Sequence, residues 1–124
     1  MVTEGQKVDV YWNLHRNCYS VKSRSGPDYG KVIAHAETVT VCNVQLVVSQ
    51  AGRRRVLKEK RKNVHAVLRG VWSSPSDAAT VGITYNPYKY ETFVLRDSEA
   101  PILTAAVAIG RIVEGRARME VVPA

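Results

Sequence analysis

Apolar and polar residues alternate with a period of two along most of the chain, and sustained helical periodicity is scarce. Alternation of this kind is typical of half-buried β-strands. Valine, isoleucine and threonine fill many of the positions, and β-branched side chains suit a pleated surface. The pattern predicts strands over residues 7–14, 18–22, 31–36, 38–48, 64–72, 80–85, 92–96, 103–113 and 116–122.

One helix is predicted between the fourth and the fifth of these strands. The Ser49 hydroxyl can begin it by accepting a hydrogen bond from an early backbone N–H. The helix would run to about Arg61 and bring Arg55 and Glu59, four residues apart, into an ion pair. Asn63 can end it, since asparagine tolerates the left-handed conformation.

The order of these elements indicates the fold class. Residues 114–115 should be the turn of a final hairpin. Residues 102–109 could instead form a short helix, because alanines favour one. We predict a single α+β domain over residues 1–124, with a mostly antiparallel sheet and one basic helix near residues 50–62.

Composition and length are those of an ordinary globular domain. The 124 residues are 45% hydrophobic and 23% charged, which is enough to bury a core without disulfides or a metal. No apolar run approaches the roughly 20 residues that span a bilayer. The N-terminus lacks the pattern of a secretory signal, so a cytoplasmic location and no membrane partner are expected. Cys18 and Cys42 are therefore expected to be free thiols.

The positive charge of the chain is local. Residues 53–62 hold seven basic side chains and one acidic one, which accounts for +6 of the formal +7. A concentrated positive field attracts polyanions, and cations that neutralise phosphates release condensed counterions. A solvated surface helix is the simpler interpretation, but like charges at this density repel one another unless an anion offsets them. The segment therefore predicts an anionic partner, with nucleic acid or a nucleotide first.

Three further segments hold candidate ligand contacts. In residues 12–16 (WNLHR), His15 and Arg16 could grip a phosphate at a strand end, or the segment could simply pack and make local hydrogen bonds. In residues 62–66 (KNVHA), His65 follows the basic helix and could contact a ligand, act as a general base or be structural. In residues 85–90 (YNPYKY), tyrosines could stack on bases or pin the loop to the fold.

Motifs for phosphate cradling, dinucleotide binding and metal ligation are missing from the sequence. We therefore expect no cofactor and no metal. Carboxylates are few and scattered, whereas a two-metal nuclease needs several that converge. A metal-independent nuclease or hydrolase using His15 or His65 is chemically possible, because imidazole can serve as a base near neutral pH. Enzymatic activity is left open, and binding is the favoured class.

The segments WNLH, KNVHA and YNP occur in this order within residues 10–94, and in that arrangement the chain resembles a family of small tailed-phage proteins. That family carries no assigned activity, so the resemblance transfers no catalytic or binding residue. It implies a product made in the cytoplasm of an infected bacterium. Small phage proteins of this kind often act in host takeover or counter-defence, and sequestration of a ligand would suit either role.

These observations predict a binding protein for an anionic ligand, either a nucleic acid or a small nucleotide held in a pocket or between the subunits of a homo-oligomer. An adaptor that binds an acidic host protein is the main alternative, and a small hydrolase is the other. The candidate ligand-binding residues are Trp12, His15, Arg16, Arg53, Arg54, Lys58, Arg61, Lys62, Asn63, His65, Tyr88, Lys89 and Tyr90.

Overall fold

A computed structural model describes residues 2–124 of the chain. Over that range it contains one α-helix, α1 (Gln50–Glu59), and nine β-strands. The strands are β1 (Lys7–Asn13), β2 (Cys18–Ser23), β3 (Val32–Ala36), β4 (Val39–Val48), β5 (Ala66–Trp72), β6 (Val81–Thr84), β7 (Val94–Leu95), β8 (Thr104–Val113) and β9 (Arg116–Val122). The predicted mostly antiparallel sheet with one helix is confirmed for this range.

The nine strands of residues 2–124 form one sheet in the order β3-β2-β1-β5-β4-β8-β9-β6-β7. Each neighbouring pair is antiparallel, so short connections can join many of them. Strand β4 lies near the centre, between β5 and β8, and α1 follows it directly. The helix therefore lies at the end of the sheet where β4 finishes and β5 begins.

The sheet is curled, so that β2 packs against the β8–β9 hairpin. Tyr19 of β2 is buried, and its hydroxyl donates to the backbone oxygens of Arg111 at 3.4 Å and Arg118 at 3.2 Å. Burial raises the pKa of Tyr19 to about 12. Gly110 makes room for the ring, since a Cβ there would lie 2.6 Å from Cζ of Tyr19. The curled sheet thus encloses its own core without a second layer of helices.

The core consists mainly of valines on the inner face of the sheet. Burying a side chain of this size stabilises the fold by roughly 1.5–3 kcal/mol. Alternation along each strand then leaves the opposite face to polar residues. The buried cluster comprises Val8, Val10, Tyr19, Val21, Val39, Val41, Val44, Leu46, Leu68, Ile83, Phe93, Ala105, Ala108 and Val121.

The helix ends earlier than predicted. Lys60, not Asn63, adopts the left-handed conformation (φ 59°, ψ 28°), and its N–H donates to the Val56 carbonyl. The left-handed conformation of Lys60 turns the backbone out of the helix, so Arg61 and Lys62 lie beyond its end. The predicted extent to residue 62 is therefore wrong, and the following strand starts at Ala66 instead of residue 64.

The alternative of a helix over residues 102–109 is also wrong. Strand β8 starts at Thr104 and is hydrogen-bonded to β4 on one side and to β9 on the other. Two flanking strands outweigh the modest helical preference of its alanines. The predicted turn of the last hairpin is confirmed, because Glu114 (φ 52°) and Gly115 (φ 77°) both have the positive φ of a type I′ turn.

Several strands are shorter than the alternating pattern predicts. The predicted strands over residues 80–85 and 92–96 reduce to Val81–Thr84 and Val94–Leu95, at one margin of the sheet. Cys18 and Cys42 are free thiols in the described range. Residues 2–124 include no helix with the length and apolar character that a bilayer crossing requires.

Candidate anion-binding surface

Helix α1 rests on the start of β5 through a narrow inner face. The Ser49 hydroxyl accepts from the Gly52 N–H at 3.2 Å, as the sequence predicted for an N-cap. Gly52 permits close approach, because a Cβ there would lie only 2.5 Å from Cβ of His65. Val56, which is 2% exposed, is the buried residue of α1. Arg54, Arg55 and Lys58 lie on faces of the helix that are exposed to solvent.

The exposed cations around α1 form what we call the basic surface. Its members are Arg54, Arg55, Lys58, Lys60, Arg61, Lys62 and Lys89, and each is exposed. The ion pairs within residues 2–124 join Arg24 and Arg69 to Asp9 and Arg111 to Glu120, so none involves the basic surface.

The predicted ion pair between Arg55 and Glu59 is wrong. Both side chains extend into water, where an ion pair gains little.

A hydrogen-bonded chain joins the helix to the strands beneath it. The Asn63 side-chain amide donates to the Gly52 carbonyl at 3.2 Å, which turns its oxygen towards Nδ1 of His65 at 2.8 Å. Nδ1 of His65 must therefore be the donor, and Nε2 accepts from the Tyr85 hydroxyl at 2.7 Å. Burial raises the pKa of Tyr85, against the opposing charge of Arg53, so the phenol keeps its proton.

The loop after Tyr85 is folded onto α1. The Asn86 side-chain oxygen accepts from the Tyr88 N–H at 2.9 Å, and its backbone oxygen accepts from Tyr90 N–H at 2.8 Å. Nε of Arg53 donates to the Pro87 carbonyl at 3.0 Å. The Gln50 side chain, which sequence reasoning missed, donates to the Glu91 carbonyl at 2.8 Å. The KNVHA and YNP segments therefore meet on one helix.

The two candidate stacking tyrosines of this loop have different surroundings. Tyr88 is 57% exposed, and Nζ of Lys60 lies 5.9 Å from its ring centroid. The hydroxyl of Tyr90 donates to the carboxylate of Glu99, and this hydrogen bond raises the pKa of Tyr90. Lys89, between them, is exposed. Tyr88 and Lys89 therefore extend the basic surface, whereas Tyr90 is tied to a carboxylate.

The WNLH segment lies in and beside the β1–β2 turn. Trp12 is half-buried and packs edge-on against Tyr19, with ring centroids 5.0 Å apart. The Asn13 side-chain oxygen shapes the turn by accepting from the N–H groups of His15 at 3.0 Å and Arg16 at 3.2 Å. The side chains of His15 and Arg16 are exposed. Trp12 thus serves packing, and the other two remain accessible.

The three histidines do not form one cluster. Nδ1 of His35 is bonded to the Ser20 hydroxyl at 2.9 Å, which also accepts from the Asn13 amide at 3.0 Å. His65 has its own partners, and no group of histidine, cysteine and carboxylate side chains in residues 2–124 could hold a metal. Because β1 and β5 are antiparallel neighbours, the turn bearing His15 lies at the same sheet end as residues 61–65.

The arrangement offers charge and stacking more readily than chemistry. His65 uses one ring nitrogen as a donor and the other as an acceptor, so a general base there would first have to release Tyr85. The basic surface, in contrast, presents donors that are already directed into solvent. Sequence reasoning omitted Arg55 and Lys60 from the candidates, although their place within the basic run was visible.

Comparison with known proteins identifies phage relatives. A family model described as "Mycobacterium phage L5 gene 82 protein" matches residues 1–113. The "Gene 82 protein" of Mycobacterium phage L5 is 40% identical over 107 residues, which cover 80% of this chain and 85% of that protein. No solved structure matches the chain.

Proposed function

Since the chain belongs to the family of the Mycobacterium phage L5 gene 82 protein, we propose from its basic surface that it binds single-stranded nucleic acid. One observation carries the proposal. Seven exposed cations lie around α1 without a carboxylate within ion-pairing distance in residues 2–124. Like charges at this density are offset when phosphates bind them and release counterions.

The shape of the basic surface favours an extended ligand over a small nucleotide. A helix of 10 residues is about 15 Å long, and successive phosphates of one strand are about 3.4 Å apart along a duplex axis. The basic surface runs from Arg54 on the helix to Lys62 beyond its end, so it can contact several successive phosphates. The exposed ring of Tyr88, near Lys60, suits the stacking of an unpaired base, which contributes about 1–3 kcal/mol.

The remaining candidates divide into two groups in this proposal. Asn63, His65 and Arg53 position the helix and loop through hydrogen bonds and do not themselves contact the ligand. His15 and Arg16 are exposed at the same end of the sheet and extend the binding path. In an infected bacterium, the protein would act by sequestering its ligand, in host takeover or counter-defence.

The proposal is tested by reversing two charges on α1. Arg54→Glu/Lys58→Glu is compared with Arg116→Glu/Arg118→Glu, which makes the same change of net charge on an exposed part of β9. Anisotropy of labelled single-stranded DNA and RNA of about 20 nucleotides is measured across a salt series. Each lost phosphate contact lowers the slope of log K against log salt by about 1. We expect at least tenfold weaker binding for the helix variant and less than a threefold change for the control.

Four outcomes would contradict the proposal. Equal losses in both variants would show a response to net charge alone. A shallow salt dependence with tight mononucleotide binding would favour a small ligand. Capture of an acidic host protein that survives nuclease treatment, without affinity for oligonucleotides, would favour an adaptor. Cleavage of the oligonucleotide that is lost in His65→Ala or His15→Ala would identify a hydrolase instead.

A further inference from the structure

A second group of cations lies on the outer face of β1, β5 and β4, away from α1. Asp9 is at its centre, and we call the cavity beside it the Asp9 groove. The groove has a volume of about 300 Å³ and opens to solvent. Its lining residues are Lys7, Arg24, Asn43, Gln45, Arg69, Gly70 and Val71. Three cations and two side-chain amides thus face one space.

Asp9 fixes the position of Arg69. Nε of Arg69 donates to one carboxylate oxygen at 2.9 Å, and Nη2 donates to the other at 3.1 Å. The side chain of Asp9 is only 16% exposed, so this two-point contact is sheltered from water. The hydrogen bond to Asp9 raises the pKa of Arg69. Arg69 keeps further N–H groups that this contact does not use.

Arg24 shares the same carboxylate more loosely. Its Nε lies 3.7 Å from Asp9 Oδ1, beyond hydrogen-bonding distance. Lys7, whose backbone carbonyl accepts from the Arg24 N–H at 2.9 Å, adds a third positive charge without an ion pair in residues 2–124. Three cations around one carboxylate leave the groove with a net charge of +2. The carboxylate orders the groove but does not neutralise it.

An irregularity in β4 shapes the floor. The register between β4 and β5 shifts between Cys42 and Gln45, and Asn43 has a positive φ of 51°. The bulge brings the Cys42 carbonyl over Gly70, where a Cβ would lie 2.5 Å from that oxygen. Bulges of this kind commonly redirect side chains towards a site. Here Asn43 and Gln45, at this irregularity, both line the groove, and Gln45 is paired with Arg69 across the two strands.

We propose that the Asp9 groove is a phosphate-binding site, distinct from the basic surface. Paired guanidinium groups and a lysine match the charge and hydrogen-bonding needs of a phosphate dianion. Arg69 is preorganised by Asp9, so little side-chain entropy is lost when the anion binds. The amides of Asn43 and Gln45 can donate to further phosphate oxygens.

The groove and the basic surface lie at different positions along β5. His65, beneath α1, is five residues before Gly70, which corresponds to about 17 Å along an extended strand. The same phosphate chemistry could come from a free phosphomonoester or from the backbone of a nucleic acid.

The test uses the full chain and follows backbone and Arg side-chain NH signals by NMR during titration. The probes are inorganic phosphate, AMP and a 10-nucleotide single strand, all added to the Arg54→Glu/Lys58→Glu protein, in which the basic surface is impaired. Lys7→Gln/Arg24→Gln is the groove variant, because it leaves the Asp9–Arg69 contact in place. Arg111→Gln/Arg116→Gln, which removes two positive charges from β8 and β9, is the matched control.

We expect saturable shifts at Gly70, Asn43 and Arg69, with at least tenfold weaker binding in the groove variant and less than a twofold change in the control. Shifts with phosphate and AMP identify a free phosphomonoester as the source. Shifts with the oligonucleotide alone identify a nucleic-acid backbone. If no probe shifts these signals, or if the groove variant binds as tightly as the control, the proposal is overturned. That result would leave nucleic-acid binding by the basic surface intact, since its anisotropy test does not involve the groove.

Discussion

The basic surface and the Asp9 groove use positive charge in opposite ways. Around α1, seven exposed cations have no carboxylate within ion-pairing distance in the described chain. In the groove, Arg69 and Arg24 share Asp9, and a bulge in β4 brings two amides beside them. One region consists of exposed cations on and beyond α1 that no carboxylate holds, and the other consists of a few cations held beside Asp9.

This difference predicts how each region should respond to change. Loosely held cations attract an extended polyanion through their combined field, and salt weakens that attraction. Cations fixed by a carboxylate offer direction and shape, and mutations there should act on stability as well as on binding. Stability measurements can therefore separate the two regions before any ligand is identified.

Alanine at the glycine of each region should give the largest effect. In Gly70→Ala the new Cβ would lie 2.5 Å from the Cys42 carbonyl oxygen, so the backbone of the bulge has to move. We expect a loss of about 3 kcal/mol in the free energy of unfolding, at the upper end for overpacking. In Gly52→Ala the clash with Cβ of His65 is partly offset by the better helix propensity of alanine, and a loss of about 1 kcal/mol is expected.

Urea unfolding monitored by circular dichroism measures both losses. Gly82→Ala is the control, because the atom nearest its Cβ is Cδ of Arg96 at 3.2 Å, part of a flexible exposed side chain. It should change the free energy of unfolding by less than about 0.5 kcal/mol. If Gly70→Ala were as stable as Gly82→Ala, the bulge would not hold the floor of the groove.

Removal of one carboxylate from each region should change the free energy of unfolding by a smaller amount, and in a different direction for each region. Asp9→Asn leaves Arg69 without its two-point acceptor, and the free energy of unfolding should fall by about 1–2 kcal/mol. Glu59→Gln removes an unpaired carboxylate from the C-terminal end of α1, where negative charge is unfavourable, so stability should stay equal or rise by about 0.3 kcal/mol. Thermal unfolding distinguishes the pair. Equal losses would mean that Asp9 is no better held than a surface carboxylate.

Most of the fold could be predicted because period-two alternation reports burial directly. The turn of the last hairpin was predictable to the residue, since Glu114 and Gly115 are typical of a two-residue turn. The end of α1 was not predictable, because it lies at Lys60, whereas the left-handed position after a helix is usually taken by glycine or asparagine. The curling of the sheet depends on the fit of Tyr19 against Gly110, which no local pattern encodes.

The candidate site was predictable as composition but not as geometry. A run of cations indicates an anionic partner, yet the meeting of His65 with Tyr85 joins residues 20 positions apart. The Asp9 groove was invisible in the sequence, because its cations come from separate strands and from the segment after β2. Gly52 and Gly70 were the available signals, since glycine inside a helix or strand often marks close approach of another segment.

The hydroxyl that ties the loop of residues 85–91 to His65 should contribute less to stability than the carboxylate of Asp9 does. Tyr85→Phe removes the donor to Nε2 of His65, and loss of one half-buried hydrogen bond costs about 1 kcal/mol. Because that loop presents Tyr88 and Lys89, oligonucleotide affinity should fall a few-fold while phosphate binding in the Asp9 groove is unaffected.

Tyr11→Phe is the control on the outer face of the sheet. The hydroxyl of Tyr11 has no hydrogen-bond partner among residues 2–124, and its ring centroid lies 5.5 Å from Nζ of Lys22. Thermal unfolding and anisotropy measure both variants, and matching results for the two would show that the bond from Tyr85 to His65 does not order the binding loop.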